Sequence, residues 1–351
     1  MTIGSISTQY LGTAMLPAVT QAQSQLTTLE VESSTGQYAD LGLQLGSQSG
    51  YELSLKNEYS QMQTLTTDNA IATTNLSAAQ AALDAIRTGA QTALTSLTAL
   101  TSLSDAPSTL QTLGSTSLQA LIGSTNASSG QQYVFGGINS STPPLTTYFS
   151  TPPSAAQTAV DQAFQTTFGF PPSSPLVSSI TPTALQTFLS GPFAAQFTGS
   201  NWSSNWSSAS STNSTAEIAP GETIATSSNA NQPGFQQLAQ AYTMLNEFGG
   251  SALSQSAQQV LITTATTLVS QGASSMTATE ANVGASLAQV TQANTAMSSQ
   301  MSILQTQVGN LDDVDANSVA TQLNTLTTQI ETAYQLTAQL QKLSLAQYLP
   351  S

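Results

Sequence analysis

Apolar side chains recur at spacings of three and four over most of this sequence, and the pattern is cleanest toward its C-terminal end. Met297, Met301, Leu304, Val308 and Leu311 follow one another at four, three, four and three residues, which is a heptad seam. After Asp312, Asp313, Val314 and Asp315 the pattern restarts with Val319, Leu323, Leu326, Ile330 and Ala333, and it continues through Leu340 to Leu343. A helix interrupted by an acidic cap and then resumed leaves one apolar stripe. A lone helix cannot bury such a stripe, so the rest of the chain has to supply a partner.

The N-terminal third carries a matching signal. Ile3, Ile6 and Tyr10, then Val19, Ala22, Leu26 and Leu29, have helical spacing, with Pro17 predicting a kink or break between the two groups and an end near Ser33 to Gly36. Gly36, Gly42, Gly46 and Gly50 predict an ordered loop over 35–50. Met62, Leu65, Asn69, Ala72, Leu76, Ala79, Leu83, Ile86, Ala90, Ala93, Leu97 and Leu100 then alternate three and four without a slip. A helix from Leu53 to Leu103 would be roughly 75 Å long at 1.5 Å per residue, a length found in rods and bundles. Asp105-Ala106-Pro107 starts another helix, carrying Leu110, Leu113, Leu118 and Leu121 and ending near Gly123 to Gly130.

Between Tyr133 and Gly234 the heptads vanish, most of the prolines cluster, and both tryptophans occur. The chain is therefore expected to divide into an N-terminal helical arm and rod half (1–130), an inserted outer domain (131–235), and a C-terminal rod half and terminal arm (236–351). In the insert, Tyr133 to Ile138 predicts a strand with a Gly-Gly bulge or turn. Residues 217–224 predict a hairpin closed by Pro220-Gly221, and Ala155 to Phe168 and Thr183 to Phe197 predict short helices. The near-repeat Asn201-Trp202-Ser203-Ser204 and Asn205-Trp206-Ser207-Ser208 is Ser/Asn-rich and is placed in an exposed loop, with packing inside the insert as the competing reading. A helix resumes with Phe235, Leu238, Tyr242, Leu245 and Phe248 and stops at Gly249-Gly250. The expected fold class is mainly α: a long antiparallel coiled-coil or helical-bundle rod built from both chain ends, with a small β-containing (α+β) inserted domain.

Composition changes the picture by subtraction. Charged residues are 6% of the 351, with Lys+Arg 3, Asp+Glu 17 and a net charge of −14, which argues against nucleic acid or an anionic membrane as partner. Of the three cations, Lys56 pairs with Glu52 and Arg87 with Asp84 at helical spacing. There is no cysteine and no histidine, so thiolate and imidazole chemistry, the usual zinc sites and disulfides are excluded. No stretch approaches the roughly 18 apolar residues of a membrane span, and the N-terminus lacks the charged region of a cleavable signal.

Asp313-x-Asp315-x-Asn317 matches the first half of a calcium loop, but Ser318 and Asn324 stand where Gly and a bidentate Glu are needed. Asp312, Asp313 and Asp315 are instead expected to cap the helix that follows. Glu217 and Glu222 are expected to face each other across the hairpin with no second polar group near them, and no Gly-x-Ser-x-Gly elbow is present. No cofactor is implied. The seam itself is weak, because Asn69, Ala72, Ala79, Ala90, Ala93, Ala333 and Thr337 bury little area at roughly 25 cal/mol per Å2. Such helices suit a many-helix assembly, with ends that order on polymerisation.

Two motifs carry a resemblance. Gly130-Gln131-Gln132-Tyr133-Val134-Phe135-Gly136-Gly137-Ile138 resembles the Tyr-x-Phe-Gly-Gly strand that enters the insert of the hook-to-filament junction branch of the flagellin family. Leu311-Asp312-Asp313-Val314-Asp315-Ala316, Ile330-Glu331-Thr332-Ala333-Tyr334 and Leu343-Ser344-Leu345-Ala346-Gln347-Tyr348-Leu349 are similar to the family's C-terminal helix and its ending. The resemblance implies a structural protein with no enzymatic activity, secreted through the flagellar type III apparatus and self-assembling into a ring or helical layer of the bacterial flagellum. It further implies hook-associated protein 1 on one side, flagellin on the other, and an export chaperone that holds the C-terminal arm. Ile3, Ile6, Tyr10, Leu26, Leu29, Leu304, Val308, Leu311, Leu323, Leu326, Ile330, Leu340 and Leu343 are then expected to carry assembly. The alternatives are flagellin itself and a secreted surface lectin or enzyme acting through the insert.

Overall fold

The computed structural model describes residues 8–100 and 107–346, with side chains over 15–100 and 107–339. In chain order the elements are α1 (Thr8–Thr35), α2 (Leu41–Leu45), α3 (Ser49–Leu100), α4 (Pro107–Thr125), β1 (Ser128–Ser129), β2 (Gln132–Tyr133), α5 (Ala155–Phe168), α6 (Pro182–Phe188), α7 (Gly199–Asn205), β3 (Thr215–Ala219), β4 (Glu222–Ala225), α8 (Pro233–Phe248), α9 (Gln255–Asp312) and α10 (Ala316–Ala346). About 75% of the chain is helical, long helices come from both ends, and the two sheets are small antiparallel pairs. This is the mainly α fold with a small β-containing insert that the periodicity predicts. The chain forms two compact units, residues 1–61 with 299–351, and residues 62–298.

The scarcity of charge has a local counterpart on the helices. Thr66, Thr73, Thr266 and Thr327 donate their hydroxyls to the carbonyls of Met62, Asn69, Ile262 and Leu323, four residues back, at 2.9, 2.7, 2.8 and 2.7 Å. Many exposed Ser and Thr on the same helices do likewise. Each hydroxyl is satisfied by its own helix, which makes the surface polar without placing a charge on it.

In the first unit, α1 packs against α10, and Gln23 Nε2 donates to the Tyr334 hydroxyl between them. Pro17 does not end α1, which runs from Thr8 to Thr35 as one helix. The segment read as a loop contains a helix: Asp40 Oδ1 accepts from Leu43 N at 2.9 Å and starts α2, and Gly46 at φ 54° follows it. The turn after α1 is stitched to the joint between α9 and α10. Tyr38 N donates to the Asp312 carbonyl and Val314 N to the Gly36 carbonyl, both at 2.9 Å, and Gln37 pairs antiparallel with Asp313.

In the second unit, α8 is buried over most of its length, from Gly234 to Phe248, with Gln240 and Thr243 buried along with its apolar residues. Gly114 of α4 lets that helix close on Leu245 and Asn246 of α8, and Gly272 of α9 faces Leu238. Asn69, 1% exposed, donates through Nδ2 to Asn294 Oδ1 at 2.7 Å and to the Ile218 carbonyl at 2.8 Å. It thereby joins α3, α9 and β3 at one point.

The insert departs from expectation in four places. Of the expected strand over 133–138, Tyr133 alone lies in a strand, β2, which pairs with Ser128–Ser129; Gly136 makes an isolated bridge with Asn229, and the rest is turn. The helix expected over 183–197 ends at Phe188, after which a π turn carrying Pro192 and a 3-10 turn continue, because proline cannot donate to a regular helix. Glu217 pairs with Thr223 and Glu222 with Ala219, so the two carboxylates do not face each other; Glu217 Oε1 instead accepts from Gly221 N at 2.8 Å. Trp202 and Trp206 are not in an exposed loop. They sit on and just after α7, each 1% exposed, and stack at 5.7 Å. Their four-residue spacing, a helical signal, outweighs the Ser/Asn flanks.

Candidate functional site

The Tyr-Val-Phe-Gly-Gly motif explains itself as packing. Phe135 is fully buried and meets Phe235 edge-on at 5.2 Å. The backbone around it exchanges bonds with three segments: Val134 N donates to Ala127 O, Ala230 N to Phe135 O, Ser210 N to Gly136 O and Ile138 N to Thr212 O, at 2.9 to 3.1 Å. A Cβ on Gly136 would lie 2.7 Å from the Asn139 carbonyl, and Gly137 holds φ 60° with Thr212 O 2.5 Å from where its Cβ would be. Both glycines are required at this crossing of chains.

The acidic joint does three different things with three carboxylates. Asp315 Oδ1 accepts from Asn317 N at 2.9 Å and Ser318 N at 3.3 Å, which caps α10. Asp313 is exposed and stands opposite Gln37 in an antiparallel bridge whose two bonds are made by the residues beside them. Asp312 is not a cap for α10. It is the last residue of α9, its side chain is fully buried, and Lys56 Nζ lies 2.7 Å from Oδ2. Lys56 also pairs with Glu52, so one ammonium serves two carboxylates and is held above its ordinary pKa, first by Asp312 and then by Glu52. Sequence reasoning finds the Glu52 pair and misses the Asp312 pair, which spans 256 residues of sequence and has no local signature.

Of the residues expected to carry assembly, Leu304 and Ile330 are buried, and Leu26, Leu29, Val308, Leu311, Leu323 and Leu326 are half-buried inside the first unit. Ile3 and Ile6 lie outside the described residues, and of Tyr10, Leu340 and Leu343 the helical backbone alone is described. The apolar surface left to solvent is made by other side chains. Among the described residues, twelve large apolar side chains stay exposed. Eight of them, Leu16, Val31, Leu43, Tyr51, Leu53, Ile303, Tyr334 and Leu336, belong to the first unit, which holds about a third of the chain. Ile71, Ile138, Phe149 and Leu176 belong to the second. The heptad reading selects positions that close the helix pair and passes over those beside them, as with Leu304 and its neighbour Ile303, 58% exposed.

Comparison with known proteins bears on both ends of the chain. Residues 6–140 match the bacterial flagellin N-terminal helical region and residues 262–349 match the bacterial flagellin C-terminal helical region, together more than half of the sequence. The chain belongs to the flagellin family. A solved structure from Vibrio parahaemolyticus, assigned as a flagellar hook-associated protein, is similar in fold, with a TM-score of 0.51 at 12% identity, covering 76% of this chain and 97% of that one. No curated protein sequence matches it. This flagellin-family chain is thus a structural protein of the bacterial flagellum. Members of the family are structural proteins that assemble with other flagellar components outside the cell. Among the described residues no helix is long and apolar enough to cross a membrane.

Proposed function

We propose that the chain is the subunit of the hook-to-filament junction, a non-enzymatic adapter polymerising between hook-associated protein 1 and flagellin after delivery by an export chaperone that holds the C-terminal arm. The observation that carries this reading is the concentration of exposed apolar side chains on the unit made by both chain ends. A surface of that kind on a secreted protein marks an interface. Leu26, Leu29, Leu304, Val308, Leu311, Leu323, Leu326 and Ile330 act in it by closing the helices on one another, and the sequence pattern assigns Ile3, Ile6, Tyr10, Leu340 and Leu343 to assembly with them. Leu16, Leu43, Tyr51, Leu53 and Ile303 present the contact surface itself.

The Phe135–Gly137 crossing supports the junction branch over flagellin, because it matches the strand motif of that branch. The burial of Trp202 and Trp206 weighs against a lectin, which needs exposed aromatic faces for stacking on sugar rings. Quantitative mass spectrometry on sheared flagella, with hook ends separated from filament, tests the reading. Trace amounts confined to the hook-proximal fraction are expected. Bulk abundance along the filament would make the chain a flagellin, and absence from both fractions would overturn a flagellar role at the junction.

A further inference from the structure

An open cleft of about 780 Å3 lies in the second unit, lined by Gln111 of α4, Asp161 and Gln165 of α5, the Pro171–Pro175 turn, Glu247 of α8 and Ser251 beyond it. Two carboxylates from different helices therefore share one cleft, and no Lys or Arg lines it. Glu247 is fixed from behind: the Tyr148 hydroxyl donates to Oε1 at 2.8 Å, and Asn246 Nδ2 donates to the same oxygen at 2.9 Å. Asp161 and Glu247 Oε2 receive no hydrogen bond from any described residue. Glu247 also stands in the last turn of α8, where the helix dipole disfavours a negative charge.

We propose that Asp161 and Glu247 form an acid-tightened clasp between α5 and the end of α8, which takes up a proton as pH falls and stabilises the unit that contains the insert. The titratable groups that act on Glu247 are Tyr148 and Asp161, with Asn246 as a neutral donor, and none supplies a positive charge. Burial is the main cause that raises the Glu247 carboxyl above its ordinary pKa, with Asp161 adding to it, while the bonds from Tyr148 and Asn246 oppose it. Burial raises Asp161 too. A carboxyl raised in the folded state binds its proton more tightly there than in the unfolded chain. Stability therefore rises as pH falls from neutral through the raised values, and the gain is complete below the ordinary carboxylate range, about 4.

The full chain reports on this directly, since both tryptophans are buried in the same unit and Trp206 stacks on Tyr148 at 5.3 Å. Urea unfolding followed by tryptophan emission at pH 7.5, 6 and 5 is measured for the natural chain, Glu247→Gln and Asp161→Asn. Acidification lessens the −14 net charge in all three proteins, so the slope against pH decides rather than the stability itself. The natural chain is expected to gain up to about tenfold more in folding equilibrium constant per pH unit than Glu247→Gln, the limit for one proton, with Asp161→Asn between them. Gln at 247 still accepts from Tyr148, and Asp161→Asn provides the comparison if that variant does not fold. Equal slopes in the natural chain and in the variants that fold would overturn the clasp.

Discussion

Lys56→Met is the sharpest test of how the first unit is held. The ammonium lies between the Asp312 carboxylate, fully buried, and that of Glu52, 10% exposed, and is itself 44% exposed. Removing one member of a buried pair costs about 3–5 kcal/mol, because the remaining charge has lost its counter-ion away from water, whereas exposed pairs are worth about 0–1. A buried carboxylate facing a half-exposed ammonium belongs near the lower end of the first range, about 3 kcal/mol. The loss falls on the joint that ties the turn after α1 to α9 and α10, so the amides of Tyr38 and Val314 report it. Hydrogen exchange at those amides should open about 150-fold more often, since each 1.36 kcal/mol is a factor of ten. Asp312→Asn in the same background removes the stranded charge and should restore most of the protection. If Lys56→Met leaves exchange unchanged, or the added Asp312→Asn fails to rescue it, the argument from buried charge is wrong. The lysine pKa is raised, so the stabilisation is intact below about 10.5 and fades only as pH rises through the higher folded value.

Three further outcomes follow from the packing. Gly114→Ala places a Cβ 2.6 Å from the Leu245 carbonyl carbon, so α4 must move off α8; after the helix-propensity gain of about 1 kcal/mol, a net loss of about 2 kcal/mol is expected in urea unfolding. Trp206→Ala removes the middle of the Tyr148–Trp206–Trp202 stack and should cost about 4 kcal/mol by the same measurement, with the emission of Trp202 shifted to the red. Leu326→Pro, or truncation after Asp313, should abolish incorporation into flagella while leaving cooperative tryptophan-detected unfolding in place; a truncated chain that still incorporates would refute the role of α10.

Much of this fold is written at short range. Residues 155–168 form a helix over the span their spacing predicts, the Pro220-Gly221 hairpin closes where expected, and the α9–α10 break falls at the acidic joint. The readings that failed did so where a local cue competed with a stronger one elsewhere. Ser and Asn around Trp202 suggest a loop, but two indoles supply more burial than their neighbours supply solvation. The glycines of 35–50 hid a helix that one aspartate starts. Long-range chemistry was invisible: nothing near Asp312 names Lys56, and nothing near Asp161 names Glu247. The exposed apolar side chains of the first unit were illegible as residues, since periodicity identifies the stripe that closes a pair and says nothing of the side chains left outside it.

The threonine hydroxyls have one more consequence. A side chain bonded to its own carbonyl asks nothing directional of whatever lies against it, and a helix covered with such groups offers a neighbour contact without fixed partners. Two surfaces of this kind can slide past each other by an ångström without breaking a hydrogen bond, where a face of salt bridges would snap from one register to the next. Subunits that pack side by side in an assembly can then take up small shifts between neighbours, and a surface without preferred registers is suited to that work.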